Sequence, residues 1–228
     1  MRYSVVIPAH NEMENLEKLV PFIWSVLKGV SNSFEIIVVD DNSTDDTENA
    51  LNSMKRKYPE LKPIYRKSDK GVGNTIRRGF KEASGDYIIT LDGDLSHDPK
   101  EIPKFIAAIE DCDLVCGSRY VKGGKAEITM VRSLISKTFN LIFRLVLGVP
   151  IRDFTSGYRI LRKHVVKSMD LKSHHFGIYI EIPIKANKMS FRLKEIPVHY
   201  HPRFKGVSKL RYIKQGPEYL KVIIDNLL

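Results

Sequence analysis

Ile88-Ile89-Thr90-Leu91-Asp92-Gly93-Asp94-Leu95-Ser96-His97-Asp98-Pro99 is the stretch from which the rest of the chain can be read. It starts as a short apolar run suited to a buried strand and stops at two aspartates separated by glycine. Carboxylates one residue apart repel each other. They persist most readily where a divalent cation or a polar turn holds them, and hard oxygen ligands suit Mg²⁺ or Mn²⁺. Gly93 allows a tight turn and the close approach of a ligand. Taken alone, the motif is also compatible with a solvated turn, because Asp-Gly is a common turn dipeptide. The flanking sequence decides between the two.

Upstream, Ser4–Pro8 is a β-branched run ending at Pro8-Ala9-His10-Asn11-Glu12. Asn11 is placed to cap the next helix with Glu14 as its capping-box partner. Leu16, Leu19, Val20, Ile23, Trp24 and Leu27 mark one face of that helix, which Pro21 should bend. Glu35–Asp40 is a second buried strand, running into Asp40-Asp41-Asn42-Ser43-Thr44-Asp45. A helix over about 45–57 and a short strand near 63–65 follow. Lys70-Gly71-Val72-Gly73-Asn74 opens a helix carrying Ile76, Phe80 and Ala83. Downstream of the opening stretch come a helix over about 100–110 and a strand at 113–118 ending at Arg119. Apolar strands alternating with helices predict a mostly parallel α/β sheet covered on both faces. Ligands of such sheets sit beyond the carboxyl ends of the strands, where Pro8–Glu12, Asp40–Asp45, Asp92–Ser96 and Arg119 all fall.

Past Gly123-Gly124 the character changes. Residues 130–148 form a helical stretch that is apolar around more than half of its circumference, with Arg132, Lys137 and Arg144 as its only charges. A cationic helix of this kind suits either a membrane interface or a core. Residues 151–162 read as a loop entering a strand, 174–188 contain a helix, and 192–200 form a late strand. A basic loop over 202–211 precedes a second amphipathic segment, 212–228. His199-Tyr200-His201 alternates as a strand does, so both imidazoles share a face. With no third ligand evident, they read as structural.

The 228 residues, 43% hydrophobic and 28% charged, predict a globular chain with one substantial core. The net charge of +10 points to a polyanionic partner. No nucleic-acid-binding module is recognisable, and the basic residues lie beside apolar helices, so nucleic acid is not the expected partner. Cys112 and Cys116, the only cysteines, suit a reducing compartment rather than a disulfide framework. No signal peptide is recognised, and no apolar run is long enough to span a bilayer, so the expectation is a soluble or peripheral protein.

Ile7-Pro8-Ala9-His10-Asn11-Glu12, Val39–Asp45 and Leu91-Asp92-Gly93-Asp94 occur in the order and spacing of inverting family-2 glycosyltransferases. Asp94–Pro99, Gly117–Tyr120, Asp153–Arg159 and Gly206–Leu210 further resemble the dolichyl (polyprenyl) phosphate mannosyltransferases of that family. The resemblance covers essentially the whole chain and implies one GT-A domain. Residues 1–120 would be its nucleotide-sugar half and 121–228 its acceptor and membrane-facing half. It implies a nucleotide-sugar pocket of Pro8, His10, Glu12, Val38, Asp40, Gly71, Asp92, Gly93 and Asp94. It also implies an Mg²⁺ or Mn²⁺ site of Asp92, Asp94 and Ser96, although some relatives carry Gln at the last position. Asp153 is expected near the acceptor, alongside Asp92, Asp94 and Arg119 in the catalytic set.

The chemistry required by such a reaction agrees with this residue inventory. A nucleoside diphosphate leaving group must be neutralised, which a cation on Asp92 and Asp94 achieves as a Lewis acid. A lipid monophosphate, with a second pKa of about 6, is already a nucleophile at neutral pH and needs no general base. Two anionic reactants must be held together, and Arg119, Arg132, Ser136, Arg203, Ser208 and Lys209 are the candidates for the phosphate groups. The expected reaction is inverting transfer of mannose from GDP-mannose to dolichyl or polyprenyl phosphate. It would occur at the cytoplasmic face of a membrane, with or without a membrane-anchoring subunit. The alternatives are a UDP-glucose-dependent transferase and a non-catalytic nucleotide or lipid-phosphate binding subunit.

Overall fold

The computed structural model describes residues 1–206 and 212–227. The chain opens with β1 (Tyr3–Ala9), α1 (Met13–Val30), β2 (Phe34–Asp40), α2 (Thr47–Lys57), β3 (Leu61–Tyr65), α3 (Val72–Glu82) and β4 (Tyr87–Thr90). A 3₁₀ turn at Pro99–Glu101 leads into α4 (Ile102–Ala108), then β5 (Leu114–Ser118), β6 (Lys125–Ala126) and α5 (Met130–Leu147). The remainder is β7 (Arg159–Arg162), α6 (Lys163–Ser168), α7 (Ile178–Lys188), β8 (Leu193–Pro197), β9 (His199–Tyr200) and α8 (Tyr212–Leu227).

Among the described residues, seven strands form one sheet in the order β3-β2-β1-β4-β7-β5-β8, and β6 pairs with β9 in a small second sheet. All neighbours in the large sheet run parallel except at β7, which is antiparallel to both β4 and β5. β7 and β8 come from beyond residue 120, so the second half of the chain completes the sheet begun by the first.

The uninterrupted apolar runs follow from burial on both faces. Successive strand residues point to opposite sides, so Val5, Ile7, Ile36 and Val38 join one core while Val6, Ile37 and Val39 join the other. α1 covers the first face with Leu16, Leu19, Val20, Ile23 and Leu27, all fully buried. α3 covers the second with Ile76 and Phe80. The helix packs tightly there because Gly79 lacks a side chain.

Local expectations depart from the structure at three places. Asn11 does not cap α1: it adopts φ +54°, and its side-chain oxygen accepts from the Thr44 amide at 2.7 Å, tying the β1 loop to the β2 loop. Glu14 forms no capping box and instead pairs with Lys205 at 3.3 Å. The late strand breaks at Val198, so Leu193–Pro197 extends the main sheet and His199–Tyr200 leaves it for β6.

A Cβ at position 79 would overlap Val6 Cγ1 in the centre of the sheet. Gly79→Ala should therefore destabilise the protein by about 1–3 kcal/mol through overpacking, despite the better helix propensity of alanine. A lower urea midpoint at unchanged slope is the expected result, and an unchanged or higher midpoint would contradict this packing.

Candidate active site

The carboxyl ends of β1, β2, β4 and β5 open into a cavity of about 340 Å³. Pro8, His10 and Glu12 line it from the end of β1, Asp41 from β2, Asp92, Gly93 and Asp94 from β4, and Arg119 from β5. Lys70, Gly71 and Thr75 bring the amide end of α3 to the same space. Arg132 of α5, Tyr179 of α7, Tyr200 and Arg203 close it from the second half of the chain.

Each carboxylate of the Asp-Gly-Asp turn is held from two sides. Asp92 accepts from the Tyr179 hydroxyl at 2.9 Å and faces His97 Nε2 at 3.4 Å. Burial is the largest influence and would raise its pKa, but His97, Tyr179 and Arg203 together outweigh it, and the carboxyl is held below its usual range. Burial and then the adjacent carboxylate push the Tyr179 hydroxyl well above its ordinary value, which keeps it a donor. Asp94 accepts from Ser96 Oγ at 2.5 Å and from Arg203 Nη2 at 2.7 Å. The same guanidinium reaches Glu12 Oε1 at 3.4 Å.

The side of the cavity next to α3 is built on backbone proximity. Asp41 accepts from the Gly71 amide at 2.7 Å and from Arg66 at 2.6 Å. Gly71 has φ +140°, and a Cβ there would overlap the His174 carbonyl, so glycine is required. His10 Nδ1 lies 3.0 Å from the Asp41 carbonyl.

On the opposite side, Arg119 is immobilised. Its Nε and Nη2 each donate to Asp153 at 2.7 Å, and Nη2 also donates to Thr155 Oγ1 at 2.7 Å. Burial would raise the Asp153 carboxyl, but Arg119 dominates, with Arg159 assisting, and its pKa is lowered. Glu195 accepts from the Arg152 and Asp153 amides at 2.8 and 3.0 Å, fixing the loop that carries Asp153.

Of the residues singled out in the sequence, Pro8, His10, Glu12, Gly71, Asp92, Gly93, Asp94, Arg119, Arg132 and Arg203 meet at this cavity. Others stand behind it. Val38 is fully buried in the core, and Asp40 turns back to accept from the Ser43 amide at 3.2 Å; its neighbour Asp41 faces the cavity instead. Ser96 is fully buried and its hydroxyl orients Asp94. Ser136 accepts from the Tyr120 hydroxyl at 2.7 Å, and Asp153 acts through Arg119. Ser208 and Lys209 lie outside the described residues. Sequence reasoning missed Asp41, Lys70, His97, Tyr179 and Tyr200. The one available signal was Tyr179, whose hydroxyl within an apolar helix requires a polar partner.

A mostly parallel sheet with β7 reversed, and a carboxylate pair at the end of β4, is a GT-A-like fold. The chain matches the model of glycosyl transferase family 2 over residues 4–169, and it belongs to that family. It is 44% identical over 227 residues to the dolichol-phosphate mannosyltransferase of Pyrococcus furiosus, covering 98% of this chain and 63% of that protein. It thus spans less than two thirds of that relative's length. It is also 34% identical to the polyprenol monophosphomannose synthase of Mycolicibacterium smegmatis, covering 92% of this chain and 81% of that one. Glucosyl-3-phosphoglycerate synthase from Mycobacterium tuberculosis, in complex with Mn²⁺, UDP and phosphoglyceric acid, shares the fold at a TM-score of 0.74. Its identity is 20%, with 100% of this chain and 77% of that chain covered.

The Asp153–Arg119 pair carries a pH signature. Because the folded carboxyl has a lowered pKa, the unfolded state binds more protons in acid. The pair therefore stabilises fully above the unfolded value of about 4 and fades as pH falls through the folded value. Asp153→Asn should cost about 3–5 kcal/mol near neutrality, as expected for stranding one buried partner, and should flatten the acid limb of the stability curve. Denaturant titrations between pH 7 and pH 3 check both; parallel acid limbs for the two proteins would contradict the assignment.

Proposed function

We propose that this chain transfers mannose from GDP-mannose to dolichyl or another polyprenyl phosphate with inversion, at the cytoplasmic face of a membrane. The observation that carries the reading is the convergence of Asp92 and Asp94 with Arg119, Arg132 and Arg203 on one cavity, beside a helix whose apolar face points outward. The names of the 44% and 34% identical relatives support a lipid-phosphate acceptor and mannose as the sugar.

The donor set of Asp92 and Asp94 is hard and anionic, which fits Mg²⁺ or Mn²⁺. Asp94 already carries a cationic partner, the Arg203 guanidinium at 2.7 Å. When bound, such an ion would neutralise charge on the departing diphosphate. Tyr179 and His97 hold Asp92, and Ser96 holds Asp94, so both carboxylates are oriented before any ligand arrives. The amide end of α3 and Lys70 face the cavity where a nucleotide diphosphate can be received.

Arg119, clamped by Asp153 and Thr155, and Arg132 offer guanidinium groups to the acceptor phosphate. A phosphate oxygen attacks C1 of the sugar as the bond from C1 to GDP breaks, which inverts the anomeric centre. The nucleophile is already dianionic, so no proton has to be removed, and the reaction needs no general base on the protein.

α5 supplies the membrane-facing argument. Met130, Val131, Leu134, Leu141 and Leu145 are each more than half exposed, while Ser136 and Asn140 on the inward side are buried. In α8, Leu220 is likewise exposed. Among the described residues, no helix is long and apolar enough to cross a membrane.

Labelled-sugar transfer to a polyprenyl phosphate, offering GDP-mannose and UDP-glucose separately, tests the reading. GDP-mannose should give product with Mg²⁺ or Mn²⁺ and none with chelator, and Asp92→Ala should abolish transfer while leaving the fold intact. Product from UDP-glucose alone would overturn the donor, and retained activity in Asp92→Ala the metal assignment. Arg132→Ala should raise the acceptor KM about 10- to 100-fold, the loss expected for charge-assisted hydrogen bonds, with the GDP-mannose KM little changed. An unaltered acceptor KM would remove Arg132 from the acceptor site.

A further inference from the structure

His199 and His201 acquire in the fold the partner that the linear sequence does not show. β6 and β9 pair in parallel with Lys125 opposite His199 and Ala126 opposite Tyr200, which brings Glu127 level with His201 at the end of the ladder. Glu127 Oε1 lies 2.7 Å from His199 Nε2 and 3.3 Å from His201 Nδ1, and the two imidazole rings lie side by side, tilted by 40° with centroids 4.0 Å apart. Among the described residues, one ligand atom from each of the three lies within 4.8 Å of the other two. Tyr200, between the histidines, points the other way and lines the active-site cavity, which none of the three does. The cluster is therefore separate from the Asp92–Asp94 pair.

We propose that Glu127, His199 and His201 form a binding site for a borderline transition-metal dication, Zn²⁺ foremost, that clamps β6 to β9. Two imidazoles and one carboxylate are the donor set that such ions favour and that Mg²⁺, which prefers all-oxygen coordination, does not. A tetrahedral ion with bonds of about 2.0–2.2 Å needs ligand atoms about 3.3–3.5 Å apart. The spacing from His201 to Glu127 already meets this, and a small rotation of side chains a third to a half exposed brings His199 to it. That exposure leaves a coordination position open to water.

The ion would act on a weak element. Strands of two residues contribute few ladder bonds, here the Lys125 amide to the Val198 carbonyl at 3.0 Å and the Glu127 amide to the Tyr200 carbonyl at 2.9 Å. A ligand that binds only the paired form stabilises that form. The consequence reaches the active site, because the same segment donates from His201 N to the Ser96 carbonyl at 2.9 Å and from Phe204 N to the Asp94 carbonyl at 3.1 Å. Arg203, on Asp94, lies between those two anchors.

The test uses the full chain stripped with chelator and returned to millimolar Mg²⁺, so that the Asp92–Asp94 carboxylates are supplied with their own class of ion. Titration with Zn²⁺, and with Co²⁺ as a spectroscopic probe, should show about one equivalent bound, with a visible Co²⁺ band of low-symmetry imidazole ligation. Amide exchange at Lys125 and Glu127 should slow on binding. The double variant His199→Ala/His201→Ala should weaken Zn²⁺ binding by at least about 100-fold, since loss of even an outer partner of a metal ligand costs 10- to 100-fold. Glu127→Gln, which keeps the side-chain shape, should weaken it about 10-fold or more and guards against misfolding of the double variant. Zn²⁺ affinity unchanged in the variants, or no Zn²⁺ binding to the parent chain, overturns the site; binding without slower exchange overturns the clamp.

Discussion

Two carboxylates at the end of one strand must be kept charged and kept in place. At an effective dielectric of about 20, like charges 4 Å apart repel by about 4 kcal/mol, so a bare Asp-Gly-Asp turn would splay or take up a proton. The chain meets the constraint with groups from separate elements. His97 comes from the same loop, Tyr179 from α7 and Arg203 from beyond β9, while Ser96 orients Asp94 from two residues away. The need to neutralise the pair therefore ties the second half of the chain onto a sheet built mainly by the first. It also explains why Asp92 stays ionised although burial opposes it.

Strand β7 is the other organising feature. Inserted between β4 and β5 and running against both, it delivers the 153–157 loop to the cavity end of the sheet. The loop is then fixed from several directions: Asn140 of α5 accepts from the Phe154 amide at 2.7 Å, Glu195 accepts from two amides, and Thr90 Oγ1 donates to the Gly157 carbonyl at 2.7 Å. Arg159, almost fully buried, donates to the carbonyls of Phe154 and Tyr179 at 2.7 and 2.5 Å. A single side chain thus couples the loop that orients Arg119 to the helix that places Tyr179. Groups held this way lose little freedom when a ligand binds, which is the physical content of a preorganised site.

The strands β1, β2, β4 and β5 were legible because burial on both faces makes each an apolar run ended by polar residues, and that pattern survives without tertiary information. Asp92, Asp94 and Arg119 were legible for the same reason, as polar residues at those ends. Asp41 was passed over for Asp40 because the period-two rule stops where the strand stops, and the loop geometry that turns one aspartate back to Ser43 is not local. The antiparallel sense of β7 depends on which strands it joins, which no periodicity encodes. Tyr179 and Glu127 were missed because each acquires its partner across long stretches of chain, 87 residues separating Tyr179 from Asp92. Asn11 carried a valid capping signal, but Thr44 offered its side chain a better partner in the folded state.

Helix α5 reverses the polarity of an ordinary surface helix, which buries its apolar stripe and shows its polar one. Here Ser136 and Asn140 are spent on Tyr120 and the 154 loop, and the large aliphatic residues face out. Fully burying one such side chain is worth about 1.5–3 kcal/mol, so a helix that leaves five of them in water gives up stability that an apolar environment would restore. The same helix places Arg132 in the cavity. Along its surface the chemistry therefore changes from aliphatic to cationic within the reach of a few residues. On the proposed function the acceptor has that order of polarity, an aliphatic chain ending in a phosphate. A helix lying in the membrane interface would receive the chain on its outer face and pass the headgroup inward to the arginines. The buried polar stripe then has a defined part in the arrangement: with the aliphatic face toward lipid, the helix is held against the 154 loop by the Asn140 hydrogen bond to the Phe154 amide and by Phe143, whose ring meets that of Phe154 edge-on at 5.9 Å.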